Sequence, residues 1–224
     1  MIIEFLDYNN ADKIIKETYV NEWKEIKDVL EKMPLHLKKS DQARIQGSPI
    51  FDVVGTNSYI KEGLEAYGWK SSIPLPEKYS FMGTDIDFGK NGFIGEVQFS
   101  NYPFLLNNIL RAQLFFRGGL VLADRKTACT FIVTKAHMFR ASNSTLYYEQ
   151  AKEQLDALAQ DKVFDVPIRL IGLMEKIGKR IRVVWTTYAS PRYSRTVTTR
   201  AELFCTIDRG KSPASRCSIK VHKA

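Results

Sequence analysis

Residues 83–104 read GTDIDFGKNGFIGEVQFSNYPF, and the architecture of the chain turns on how this stretch pairs with itself. Two strand-like runs, FMGTDIDF and FIGEVQF, flank a Gly-Lys-Asn-Gly turn, and the dipeptide Asn91-Gly92 favours a tight hairpin. Side chains alternate along a strand, so Asp85 and Asp87 fall on one face. Glu96 and Gln98 also share a face, with Val97 and Phe99 turned the other way. If the strands pair, carboxylates from both converge at one point.

Such a point can hold a metal. Hard divalent cations take oxygen ligands, and Mg²⁺ is usually held by one or two carboxylates together with waters and substrate phosphate. The backbone carbonyl of Val97 is a further oxygen within the same strand. A metal so held polarises a phosphodiester and lowers the pKa of bound water. An acidic residue, a gap of several residues and then Glu-x-Lys is a nuclease pattern; here Gln98 stands at the last position. Two carboxylates near a hairpin also serve as turn solvation or a surface ion pair, and the stretch alone does not separate these uses.

Working outward, Ile15, Tyr19, Trp23, Ile26, Leu30 and Met33 recur at helical spacing, which predicts one amphipathic helix over 11–33, ended by Pro34. A second helix is expected over 56–67, with Thr56 as its cap and Gly68 as its stop. KSSIPLPEKYS reads as a loop. Pro103 opens a helix that runs to Gly118. TACTFIVTK is a buried strand by its β-branched content. Asn143 or Ser144 is placed as the cap of a helix bearing Leu146, Tyr147, Ala151, Leu155 and Leu158. VPIRLIGLM, IRVVWTTY and YSRTVTT follow as strands. The order predicts an α/β core, roughly 1–175, with a β-rich part, roughly 176–224, in a single domain. The basic tail from Arg209 onward reads as a solvated end, with a DNA-contacting extension as the sharper alternative.

The 224 residues are 44% hydrophobic, enough for a sizeable core. A net charge of +8 favours an anionic partner, nucleic acid among them, although solubility alone explains it as well. Three cysteines without a CxxC pair speak against a zinc site and for a reducing compartment. No apolar run approaches the roughly 20 residues that span a bilayer, so a soluble cytoplasmic protein is expected. His36, His137 and His222 form no Ser-His-Asp or Cys-His arrangement in the sequence and read as structural or tail residues.

A wider set of segments carries a resemblance. GTDIDFGK, EVQFSNYPFLLNN, TKAHMF, ASNSTLYYEQA, VFDVPIRLIGL and TTYASPRYSRT, with the earlier DYNNAD, WKEI, KMPLHLK and VGTNSYIK, are collinear with the BglII restriction endonuclease family from about residue 7 to about residue 199. The resemblance implies a PD-(D/E)xK-type core: a central mixed sheet flanked by helices, with an added β-rich subdomain. It implies a homodimer on double-stranded DNA at a palindrome centred on GATC, with AGATCT as the first expectation, and cleavage that leaves 5′-phosphate ends. It implies Mg²⁺, with Mn²⁺ as a substitute, and functional pairing with a cognate DNA methyltransferase. By position the catalytic residues fall on Asp87, Glu96 and Gln98, and the metal ligands on Asp87, Glu96 and the Val97 backbone. Where the family has an asparagine near the catalytic water, this chain has Ser72, with Ser71 beside it.

DNA contacts are expected from three loops. They are Ser100 and Asn101 directly after the catalytic strand, Asn143 and Ser144, and Arg192, Tyr193 and Arg195. Side chains with donors and acceptors read base edges, and phosphate contacts position the protein. Asn143 and Ser144 fit a helix cap equally well, and Arg195 a surface ion pair. Two rival readings stay open: a weakly active or inactive sequence-specific DNA-binding protein of the same fold, and a structure-selective repair or junction nuclease. Ser72 and Gln98 keep the first alive; Asp87 and Glu96 argue against it, because carboxylates repel phosphate.

Overall fold

The computed structural model describes residues 1–190, 194–212 and 215–222. The quoted hairpin lies inside a six-stranded mixed sheet. In chain order its strands are β1 (Ile2–Tyr8), β4 (Lys70–Pro74), β5 (Asp85–Lys90), β6 (Phe93–Val97), β9 (Cys129–Lys135) and β10 (Ile168–Met174), arranged β1-β10-β9-β6-β5-β4. β6, β9 and β10 run parallel; β5 and β6 are the antiparallel hairpin. Asn91 and Gly92 both have positive φ, at 52° and 86°, the condition for a two-residue turn that matches strand twist.

Helices cover both faces. Along β9 and β10, Phe131, Val133, Ile171 and Leu173 pack toward α1 (Ala11–Glu17), α2 (Val20–Lys32) and α3 (Val53–Ala66). The alternate residues Ile132, Ile168 and Leu170 pack toward α4 (Pro103–Arg117) and α5 (Tyr148–Gln160). Every residue of β9 is buried, as expected for a central strand with apolar neighbours on both sides.

A second mixed sheet joins β2 (Leu35–Lys39), β3 (Pro49–Phe51), β11 (Arg180–Tyr188), β12 (Val197–Asp208) and β13 (Ser218–His222) in the order β13-β12-β11-β2-β3. Its strands come from both ends of the chain. A short hairpin, β7 (Val121–Ala123) and β8 (Arg125–Lys126), completes the fold.

Several expectations are corrected. The 11–33 helix breaks at Thr18 and Tyr19 into α1 and α2. Thr56 is not a cap: α3 begins at Val53, and the Thr56 hydroxyl donates to the Asp52 carbonyl one turn back. The first five residues of KSSIPLPEKYS are β4, and β1 was not anticipated. Asn143 and Ser144 lie in a turn ahead of α5, whose flanking residue is Tyr147. The tail is not a loose end over 218–222, where it pairs with β12, and the Arg216 guanidinium donates to the carbonyls of His137 and Phe139.

Candidate active site

β5 and β6 pair from Lys90↔Phe93 to Phe88↔Gly95, and there the ladder stops. β6 stays bonded to β9 beyond that point, with Glu96↔Ile132 and Val97↔Val133, so the hairpin opens like a wedge. In the opening the Asp87 carboxylate accepts the Val97 N–H at 2.7 Å, so a side chain takes the place of a strand partner. Glu96 is held from the other side by the buried Arg111 of α4, whose Nη2 lies 3.4 Å from Oε1. Arg111 Nη2 also donates to the Asp85 carbonyl. Asp85, Asp87 and Glu96 all face one cleft of about 630 Å³.

The electrostatics are those of two acids forced together. Burial pushes the Asp87 carboxyl up, against the pull of the Val97 N–H. Burial, and then the charge of Asp87, hold Glu96 well above the usual carboxylate range, although Arg111 opposes both. Of the two, Glu96 is displaced the further from its ordinary range. Its Oε1 is buried without a hydrogen-bond partner.

Gln98 is fixed at both ends of its amide. Its Oε1 accepts from Asn108 Nδ2 at 3.0 Å and its Nε2 donates to the Ser100 hydroxyl. Its backbone N–H continues to the Val133 carbonyl. Asn108 and Arg111 escaped the sequence reading, which followed only the apolar stripe of α4. Their signal was present: both are polar residues set among Leu105, Ile109 and Ala112, and both are buried.

The structure brings Asp87, Glu96, Val97, Gln98, Ser100, Asn143 and Arg195 to the cleft, together with Lys38 and Asn57, which were not anticipated. Among the described residues it does not bring Ser72, Asn101 or Ser144 there. Ser144 turns inward, its hydroxyl donating to the Phe99 carbonyl, and Asn101 accepts from Thr145 at 3.3 Å. These bonds, with Thr145 and Leu146 N–H both on the Ser100 carbonyl, tie two of the predicted contact loops to each other. Lys135, with no exposed surface, donates to the Leu146 carbonyl and supports the same turn; burial pulls its amine down to about 7. Ser72 is exposed on β4 with φ 48°. The pairs Ser71↔Phe88 and Ile73↔Ile86 bracket it across from Asp87, outside the cleft lining. The Ser71 hydroxyl is engaged by Glu65. Arg192 and Tyr193 lie outside the described residues.

The fold is that of a restriction endonuclease. The structure superposes on a crystal structure of restriction endonuclease BglII complexed with a DNA 16-mer with a TM-score of 0.95 and 50% identity, covering 99% of this chain and 100% of that one. For free BglII the TM-score is 0.77 with 48% identity over the same coverage. Residues 3–173 match the family model for restriction endonuclease BglII/BglIII. The type II restriction enzyme BglII of Bacillus subtilis is 55% identical over 200 residues, 89% of this chain and 88% of that protein. The chain belongs to the BglII/BglIII restriction endonuclease family of type II restriction enzymes. Enzymes of this kind generally use a divalent metal. Among the described residues, no helix is long and apolar enough to cross a membrane.

Proposed function

We propose that the protein hydrolyses duplex DNA at a palindromic GATC-centred site, AGATCT first, with Mg²⁺ as cofactor and 5′-phosphate ends as product. The observation that carries this is the pairing of Asp87 and Glu96 in a cleft that Ser100, Asn143, Arg195 and Lys38 also line. Two buried, mutually repelling carboxylates, with Glu96 Oε1 making no hydrogen bond and only a 3.4 Å ion pair to Arg111, fit a divalent cation that would relieve both strains. Among the described residues no group of three or more His, Cys, Asp or Glu forms a cage, so the remaining ligands would be the Val97 carbonyl, water and phosphate. Asp87 and Glu96 are the residues that would hold Mg²⁺ or Mn²⁺. When bound, the ion supplies Lewis-acid polarisation of the phosphate and a more acidic water.

The chain's own part is orientation. Gln98, clamped by Asn108 and Ser100, presents a fixed amide where the common motif has a lysine. Ser72 stands across from Asp87 but lies outside the cleft lining, and no role at the attacking water is assigned to it. Arg195 and Lys38 bring positive charge to the cleft, and Ser100 and Asn143 bring donors and acceptors for base edges. The polar side of α4 serves this site, and its other side exposes Leu106, Leu110 and Leu114. We assign that stripe to a second copy of the chain, since two-fold symmetry is what a palindrome requires. A cognate methyltransferase would protect host DNA in the cytoplasm.

The test is a digest of unmethylated plasmid with Mg²⁺ followed by sequencing of the fragment ends. Discrete ends at one GATC-centred palindrome support the reading. Sequence-specific gel shifts without cutting support a DNA-binding protein that has lost its activity, and cutting governed by DNA structure rather than sequence refutes both.

A further inference from the structure

The far end of β11 is fastened by buried polar side chains that take no part in the carboxylate pair. The Tyr188 hydroxyl donates to Asp52 Oδ2 at 2.7 Å. Asp52 flanks the start of α3 and is fully buried, yet its carboxylate caps no helical N–H and its Oδ1 has no hydrogen-bond partner. His36 of β2 is buried too, with neither ring nitrogen hydrogen-bonded. Both side chains abut Gly55: an added Cβ there would stand 2.6 Å from Asp52 Oδ2 and 3.0 Å from His36 Nδ1. Burial keeps this imidazole neutral, its pKa pushed down to about 4.

A buried carboxylate with a single hydroxyl partner is a poor way to stabilise a core, because desolvation outweighs the one bond. It is a good way to fix the position of what it joins. Three cleft-lining pieces meet at this group. One is the start of α3, which contributes Val53 and Asn57. Another is Lys38, whose Nζ lies 5.5 Å from the centre of the Tyr188 ring. The last is the segment that leaves β11 at a register shift between Thr187 and Tyr188, is closed by Ala189 N–H to the Thr196 carbonyl, and carries Arg195.

We infer that the Tyr188–Asp52 bond, backed by His36, is a latch that positions Arg195 and Lys38 for DNA recognition. The inference rests on the DNA-cleaving reading above. Tyr188 is a positioning residue: it acts through the groups it holds and does not touch the reacting phosphate.

Tyr188→Phe removes the hydroxyl and keeps the ring. Binding is measured in Ca²⁺ on a 16-base-pair duplex containing AGATCT and on duplexes with one altered outer base pair, and cleavage in Mg²⁺ under single-turnover conditions at saturating enzyme. Affinity for AGATCT is expected to fall about tenfold, the worth of one such bond, and the preference over altered duplexes to narrow. The rate of the saturated complex stays as in the parent. Asp52→Asn, which still offers the hydroxyl an acceptor, retains most of the preference. Should the single change fail to fold, Tyr188→Phe with Asp52→Asn removes the stranded charge with its partner, and the same losses are expected of it. Parent-like affinity and preference, or a slower saturated rate at unchanged affinity, overturn the latch. A parent that leaves every duplex uncut overturns the DNA-cleaving reading and the latch with it; a parent that cuts beside an indifferent variant overturns the latch alone.

Discussion

The two sheets hold their functional side chains by opposite means. In the six-stranded sheet the key acids sit on strands that are packed on both faces, and their neighbours β9 and β10 are almost wholly buried. In the five-stranded sheet β12 is exposed along most of its first eight residues; of the cations that line the cleft, Lys38 stands near the end of β2 and Arg195 on the connection that leads into β12. Chemistry on a phosphate needs carboxylates fixed to a fraction of an ångström, which strands in a rigid core supply. Reading DNA needs side chains that project beyond the scaffold, which calls for separate fastenings such as Tyr188 on Asp52. The first sheet therefore stores its precision in packing, and the second stores it in individual polar bonds.

The sharpest break of this comparison comes at the carboxylates. Asp87→Ala and Glu96→Ala are each expected to lower DNA cleavage by roughly 1,000-fold or more, some 4 kcal/mol of barrier, while sequence-specific binding in Ca²⁺ persists. Cleavage surviving either change in the plasmid digest would remove the catalytic assignment. The next effect is on stability. Arg169 of β10 makes a two-pronged pair with Asp7 of β1 at 2.7 and 2.8 Å and is buried beneath Phe5 and Trp23. Asp7→Ala strands that charge, and a loss of about 3–5 kcal/mol is expected in urea unfolding.

Gly95→Ala tests packing directly beside the site. An added Cβ would lie 2.0 Å from the ring of Phe131, itself wedged against Trp69 and Phe93. The strand must shift, at a cost of about 1–3 kcal/mol, and the shift displaces the adjacent Glu96. Unchanged stability together with unchanged cleavage would mean that the ring yields freely and that the sheet is less rigid than its packing implies.

What could be read in advance follows the same division. The hairpin, its turn and the meeting of Asp87 with Glu96 were legible because each depends on near neighbours: an Asn-Gly pair and an alternation over a few residues. The partners that hold the site were not, because Arg111 reaches Glu96 and Asn108 reaches Gln98 only once α4 has docked on the sheet. Asn143 and Ser144 looked like caps by composition. Asn143 instead takes a left-handed φ of 51°, and the Ser144 hydroxyl serves a carbonyl 45 residues away. β1 was missed because IIEFLDY is an edge strand half covered on each face and shows no clean alternation. The strand nature of the basic tail depended on β12 being present to pair with it.

The smallest expected effect lies at that tail, where the comparison is most easily sharpened. Lys220 of β13 faces Asp208 of β12 at 3.1 Å, with side chains 71% and 39% exposed. Water screens such a pair, and holding a long lysine in place costs entropy, so Lys220→Ala should change stability by less than about 1 kcal/mol and leave cleavage unchanged. Set beside Asp7→Ala, this gives two ion pairs across adjacent strands, one in each sheet, that differ chiefly in burial. A ratio of severalfold in urea unfolding is expected. Comparable losses would mean that the edge of the five-stranded sheet is held as tightly as the core of the other, and the division between packing and individual bonds would fail at its most exposed point.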